Sequence, residues 1–442
     1  MADALKPLPR PWPAARQGWY AVFVLLLAYT VSFADRMIMS LLIGPIRAEL
    51  NISDVQASLL IGFAFASFYA VMGLPFGALV DRVNRKWLII GGICFWCLMT
   101  VFCGVAGSFL LLFVARMGVG VGEATLSPSA YSMLADYFPR EQLGKAISVY
   151  SLGVPIGSGL ALMGGGLIVQ LVSGAPPIAL PIFGEIASWR IVFLCVGLPG
   201  FAVALLMLTV KEPPRRGSAV ASSSSGLAEF ARFIRDARWA VIPHILGISL
   251  MSMVLYGAIA WIPAFLTRVH GVEPGHTGLV FGAIIGVAGV AGLLIGGWWA
   301  DREIRRGISD GHARTAFYAA LGFTPFLVAA PFAPGLGLTL LLLTVGMIVA
   351  YTPFGVAGSA LQLITPNRLR GKMTALYLLC TGMAGFGLGP TAVALMTDLV
   401  FGDDRSVGLA IATTTAILMP LSALSLVLGL RTFRRLMAEI EA

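Results

Sequence analysis

Apolar runs long enough to cross a bilayer, separated by short polar connections, recur along this 442-residue chain. A helix needs about 20 apolar residues to cross ~30 Å of hydrocarbon at ~1.5 Å per residue. Twelve stretches satisfy this: 19–43, 55–80, 87–107, 109–137, 145–173, 189–210, 240–266, 277–300, 314–332, 337–364, 373–399 and 406–430. The pattern predicts an all-α membrane protein with 12 transmembrane helices. Alternate connections differ sharply in charge. One side holds 24 Lys and Arg, the other only Arg47, Arg190, Arg268 and Arg405, while Arg36 and Arg116 fall inside spans. By the positive-inside rule both tails belong in the cytoplasm of a cell that carries the protein in its inner (plasma) membrane.

The longest cytoplasmic connection, 211–239, turns abruptly to KEPPRRGSAVASSSSG and then to the amphipathic LAEFARFIRDARW. Leu227, Phe230 and Ile234 share a face opposed to Arg232, Arg235 and Asp236, a pattern that suits an interfacial helix touching membrane lipid. The chain thus divides into a tail (1–18), a six-helix bundle (19–210), the linker (211–239), a second six-helix bundle (240–430) and a tail (431–442). The halves repeat one another. Gly77-Ala-Leu-Val-Asp81-Arg82 recurs as Gly297-Trp-Trp-Ala-Asp301-Arg302, and Pro139-x-x-x-x-Gly144-Lys145 as Pro366-x-x-x-x-Gly371-Lys372. Offsets of 220 and 227 residues indicate duplication with conserved topology, the plan of a two-bundle transporter whose site lies at the midplane.

Composition excludes the soluble alternatives. Only 12% of residues are charged against 58% hydrophobic, too little to solvate a water-facing surface. The net charge of +9 resides in the connections, so it does not point to nucleic acid. All five cysteines fall in apolar runs, which argues against disulfides, and the four histidines lack metal-ligand spacing. Neither cofactor nor metal is expected. Gly118, Gly120 and Gly122 make a GxGxG string, but no strand precedes it, so close helix packing explains it better than a nucleotide loop. Pro155 and Pro390 are expected to mark kinks.

An ionised side chain at mid-span costs about 2.5–3.5 kcal/mol on insertion scales, which makes each one a functional candidate. Asp35, Arg36, Arg116 and Glu123 qualify, the last two seven residues apart on one helix face. A structural ion-pair cluster locking helices together is the competing reading. The second half offers only uncharged candidates for an opposing wall, Tyr256, Tyr351, Gln362 and Tyr377, with Tyr150 on the first half. That asymmetry suggests an amphipathic substrate. A cytoplasmic gate is expected at Gly77, Asp81, Arg82, Arg85 and Lys86, where charged groups meet helix ends.

GALVDRVNRK (77–86) resembles the signature of the major facilitator superfamily, with Asn84 where glycine is usual. SFADR (32–36), RMGVGVGEA (116–124), PIGSGL (155–160), VKEPPR (210–215) and WIPAFLTR (261–268) are similar to the Spinster transporters. The resemblance implies export of lysolipids or sphingoid lipids with proton coupling by the acidic residues of helices one and four. Asp35 and Glu123 would then exchange protons, and Arg36 and Arg116 would be their charge partners and receive the headgroup. Ser32 departs from the family Asn, and Leu126 and Tyr131 from its Tyr and Pro.

The expected protein is a monomeric secondary transporter for an amphipathic, lipid-like molecule and protons. A general transporter of small organic anions or drugs, clamped by Arg36 and Arg116, is the alternative. A membrane-embedded lipid enzyme is remote, because no nucleophile-base or metal constellation supports it.

Overall fold

The structure is a computed structural model describing residues 12–80, 82–173, 178–180, 184–215, 227–308, 310–366 and 369–441. Twelve helical spans form: 1 (Ala15–Leu41), 2 (Asp54–Val80), 3 (Arg85–Val105), 4 (Phe109–Tyr137), 5 (Gln142–Leu171), 6 (Trp189–Met207), 7 (Arg238–Arg268), 8 (Pro274–Arg305), 9 (Gly311–Phe332), 10 (Leu336–Ile364), 11 (Arg370–Phe401) and 12 (Asp404–Glu439). Local signals start several of them. Ser53 and Gln56 make a reciprocal capping box before span 2, and Asn84 and Ser108 cap spans 3 and 4 through the N–H groups of Trp87 and Leu111.

The apolar runs did not predict a two-stranded hairpin, β1 (Ile178–Leu180) with β2 (Gly184–Ile186), pairing Ile178 with Ile186 between spans 5 and 6. The sequence APPIALPIF has prolines on both sides of Ile178–Leu180, a composition that disfavours a helix there. The linker carries a helix at Leu227–Asp236. Phe230, Phe233 and Ile234 pack on the second bundle, so its apolar face leans on protein.

Spans 1–6 and 7–12 repeat one packing plan. Span 1 packs on 5 and 6, span 3 on 4 and 6, and span 2 on 4; likewise span 7 packs on 11 and 12, span 9 on 10 and 12, and span 8 on 10. Between the bundles, span 5 meets span 8 and span 2 meets span 11. The span 5–8 seam runs backbone against backbone. A Cβ added at Gly159 would lie 2.9 Å from the Gly282 carbonyl oxygen, and one at Gly166 2.5 Å from that of Gly275.

We call the end with the chain termini and the linker the basic face, and the other end the far face. Hydrogen bonds between the bundles gather at the far face: Arg268 to Asp54, Arg47 to Asp404, Val55 N–H to Asp398, and Ser58 with Thr391. Span 1 is buried at nearly every position from Ser32 to Leu41. Toward the basic face, Val71, Pro75 and Ala78 of span 2 and Thr374, Leu378 and Leu379 of span 11 are exposed. The bundles therefore meet along their far halves and part toward the basic face.

The proline expectations resolve into two geometries. The helix of span 5 is interrupted at Leu152, where Pro155 offers no N–H to the Ser151 carbonyl. Span 11 carries π-helical turns at Met383–Leu388 and Met396–Phe401 around Pro390, and span 2 carries one at Leu59–Phe63. A Cβ on Gly62 would lie 2.0 Å from the Phe386 carbonyl oxygen, so spans 2 and 11 approach this closely only because residue 62 is glycine.

Candidate functional site

Spans 1 and 4 carry the four buried charges, and span 3 adds Thr100 beside them. Arg36 Nε donates to Glu123 Oε2 at 2.6 Å, and the Ser32 hydroxyl donates to the same oxygen at 2.5 Å. Arg36 Nη2 reaches back to Ser32 Oγ at 3.3 Å, one helical turn away. The guanidinium also lies 4.5, 4.6 and 4.7 Å from the ring centroids of Phe33, Phe65 and Tyr69, and 5.6 Å from that of Phe386. Desolvated cation–ring contacts are worth about 2 kcal/mol or more each at best, which helps hold a buried cation. Phe386 belongs to span 11, so this cage closes across the two bundles.

Arg116 is placed differently from the expectation that it partners Glu123. Its Nε donates to the Leu60 carbonyl and its Nη1 to the Asp35 carbonyl, both at 3.3 Å. Leu60 lies in the π-helical turn of span 2, where the usual hydrogen-bond ladder is interrupted and a carbonyl accepts an outside donor. Seven residues on one helix face put Arg116 and Glu123 about two turns apart, too far for direct contact without a strong bend. The Asp35 carboxylate accepts from the Thr100 hydroxyl at 2.5 Å and has no ion pair among the described residues. Asp35 Oδ1, Glu123 Oε1 and Arg116 Nη2 are buried and unpartnered, leaving spare bonding capacity on both acids.

Facing this cluster, Tyr256 of span 7 lies 3.8 Å, centroid to centroid, from Phe386, and both line a cavity with Arg36 and Phe65. The other expected wall residues are not among those lining this cavity. Tyr150 is fully buried in the first bundle, stacked on Tyr29 at 4.5 Å. Tyr351 is buried beside Gly289 and Gly292 of span 8, and Tyr377 beside Gly358 of span 10. Gln362 sits at the basic end of span 10, where its side-chain amide donates to Thr374 Oγ1 at 2.6 Å and its backbone carbonyl accepts from Arg370 Nε.

Among the gate residues, Asp81 lies outside the described residues, Arg82 is exposed, and Gly77 is half-buried with open space beside it. Arg85 and Lys86 bond to the first bundle and the start of the linker, and no bond from them to the second bundle is seen among the described residues. Arg85 is fully buried and donates to Asp136, to Ser132 at 2.9 Å, to Glu212 at 2.7 Å and to the Pro213 carbonyl at 3.1 Å. Lys86 Nζ donates to the Leu208 carbonyl at 2.6 Å, and Arg215 to the carbonyls of Val80 and Val83, both at 2.7 Å. The KEPPR stretch is thereby strapped beneath spans 2 to 4. In this conformation these cations build a bundle-internal node.

The far face holds a group that sequence reasoning missed. Asp54, fully buried at the start of span 2, takes two hydrogen bonds from Arg268 of span 7, at 2.6 and 2.8 Å, and a 2.8 Å ion pair from Arg47. Arg47 also pairs with Asp404 at 2.9 Å, and Asp398 of span 11 accepts the Val55 N–H at the N-terminus of span 2. Three of its acids, Asp54, Asp398 and Asp404, come within cation-binding distance, but Arg47 and Arg268 already pair with Asp54, and Arg47 with Asp404. The only hint in the sequence was that arginine is so rare on this side.

Residues 25–390 match the family model described as Major Facilitator Superfamily. The chain is 27% identical to an MFS-type efflux pump of Mycolicibacterium smegmatis, over 95% of this chain and 94% of that one. It is 30% identical to protein spinster homolog 1 of Mus musculus, over 86% of this chain and 74% of that one. In structure it is similar to a crystal structure of a bacterial homolog of the human lysosomal transporter Spinster, in an inward-facing and unoccupied conformation. The TM-score is 0.76 and the identity 28%, covering 96% of this chain and 97% of that one.

Proposed function

This chain belongs to the major facilitator superfamily and resembles its Spinster members, and we propose that it moves a lysolipid or sphingoid-type molecule with an anionic headgroup, by alternating access coupled to protons. The observation that carries the reading is the Arg36 site. One guanidinium faces the inter-bundle cavity, held by a resident carboxylate that a substrate anion is chemically equipped to replace, amid ring surface suited to a chain. A proton on Glu123 frees Arg36 for the headgroup, and loss of that proton restores the internal pair and releases the cargo. Asp35, which lacks a cationic partner, is the second proton carrier. Its carboxylate is buried and accepts a hydrogen bond from the Thr100 hydroxyl. Arg116 maintains the charge balance and clamps the span 2 turn, so the headgroup meets Arg36 alone.

The basic face is assigned to the cytoplasm of an inner (plasma) membrane, with the cleft open on that side and the Asp54–Arg268 contacts closing the other. The motif around Asp81 acts as the cytoplasmic gate in the opposite conformation. The protein functions as a monomer and as a carrier rather than an enzyme.

The test is uptake into proteoliposomes across a panel of lysolipids and small organic anions, with and without a pH gradient. Gradient-dependent uptake of lysolipids supports the reading. Uptake of short-chain anions with lysolipids excluded would replace it with the organic-anion transporter, for which the solitary Arg36 is equally suited.

A further inference from the structure

A small chamber lies beyond Arg36, between the midplane and the far-face ion pairs. Its walls include Ser40, Ile61 and Ile259, and its floor is Arg36 with Phe65, Tyr256 and Phe386. Chain direction fixes this order. Ser40 follows Arg36 toward the far end of span 1, Ile61 precedes Phe65 in span 2, which starts at the far face, and Ile259 follows Tyr256 in span 7. Above the chamber stand Asp54, Arg47 and Arg268.

We propose that Phe386 is the moving part of a ring gate closing the floor of this chamber, in series with the Asp54–Arg268 contact that closes its roof. Three observations converge on this residue. Within the cage around Arg36, the rings of Phe33, Phe65 and Tyr69 share a bundle with the guanidinium, and Phe386 alone comes from the other bundle. Parting of the bundles therefore lifts this ring and leaves the rest of the cage in place. Its side chain also bridges the halves, 6.2 Å from Phe33 and 6.4 Å from Phe65 on one side and 3.8 Å from Tyr256 on the other, all between centroids. Finally, it sits in a π-helical turn between Gly385 and Gly387, and Pro390 has no N–H to offer its carbonyl. Such a turn holds an extra residue, and its conversion to α-helix turns the flanking helix by about 100°. That rotation carries the ring off Arg36.

The gate also bears on selection. Cargo leaving Arg36 for the far side displaces an aromatic ring, so an apolar segment beside the anionic head is favoured over a uniformly polar solute. The proposal rests on transport through this cleft and on neither the lipid nor the proton assignment, so its test uses neither.

In a background with the five native cysteines replaced, Ser40→Cys places a thiol in the chamber. Its alkylation by an impermeant maleimide is followed from each face of membrane vesicles, with Ala231→Cys on the linker helix marking the basic face. With Phe386 intact the chamber thiol reacts slowly from both faces. Phe386→Ala and the bulkier Phe386→Leu raise the rate from the basic face about thirtyfold, the order expected on losing a desolvated cation–ring contact. Phe386→Tyr keeps the rate low. Arg268→Ala raises it from the far face alone. Should neither Phe386→Leu nor Phe386→Ala accelerate labelling from the basic face, or should the acceleration come from the far face, the ring gate is wrong.

Discussion

The partner of Glu123 is decided by a double-mutant cycle. Arg36→Ala removes the 2.6 Å bond to Glu123 and the cation in the ring cage, leaving a carboxylate with no exposed surface and only the Ser32 hydroxyl. Breaking a buried pair by deleting one member costs about 3–5 kcal/mol, because the remaining charge is uncompensated. Glu123→Gln retains an acceptor for Ser32 and costs less, about 1–3 kcal/mol. Once Glu123 is neutral, deleting Arg36 no longer strands an anion, so the double mutant is more stable than the sum of the single effects predicts by about 2 kcal/mol or more. The same cycle with Arg116→Ala gives a much smaller coupling, since Arg116 bonds to the carbonyls of Leu60 and Asp35. Reversible unfolding of the purified protein in mixed micelles reads all of these energies. A Glu123–Arg116 coupling equal to or larger than the Glu123–Arg36 coupling would refute the assignment.

Three further outcomes are expected. Glu123→Gln, which mimics the protonated acid, keeps the fold but removes the pH dependence of transport in proteoliposomes; an unchanged pH profile would move the proton to Asp35, tested by Asp35→Asn. Gly62→Ala places a methyl group 2.0 Å from the Phe386 carbonyl oxygen and destabilises the far-closed state by about 1–3 kcal/mol. Spin labels flanking the Asp54–Arg268 contact should then report a wider far face, and unchanged distances would mean that span 2 accommodates the methyl in place. Arg85→Ala frees Glu212 and the KEPPR strap, so trypsin should cut after Arg215 faster than in the parent, at equal tryptophan fluorescence. Equal cleavage would show that the Arg215 contacts alone hold the strap.

The bundles were legible because hydrophobic length and charge asymmetry are properties of each segment taken alone. Finding Asp35, Arg36, Arg116 and Glu123 needed only the cost of a charge in hydrocarbon. Pairing them was a different problem. Spacing within span 4 ties Arg116 to Glu123 along one helix, whereas the partner that bonds Glu123 comes from span 1, and nothing in a single helix's periodicity fixes how two helices are rotated against each other. The same limit hid the cage, whose rings come from spans 1, 2 and 11 and read in sequence as ordinary apolar residues. Gln362 was misplaced because a polar residue near the end of a span serves the helix terminus as readily as the cavity. The acidic group at Asp54 escaped notice because Arg47 and Asp54 come from the first half of the chain and Arg268, Asp398 and Asp404 from the second, and individually they look like loop charges.

The span 5–8 seam has an implication for how such a carrier diversifies. Where Gly159 meets Gly282 and Gly166 meets Gly275, there are no side chains to interlock, so the two bundles slide over a smooth backbone surface. Any larger residue there would wedge the halves apart at every point of the stroke, whatever the cargo. Recognition, in the function proposed above, depends instead on a handful of rings and one guanidinium several helices away. The bearing and the grip are thus physically separate: a descendant of this protein is free to exchange its cargo by altering Tyr256 or Phe65 while the hinge surface stays as it is, and a change in the hinge would silence every substrate at once.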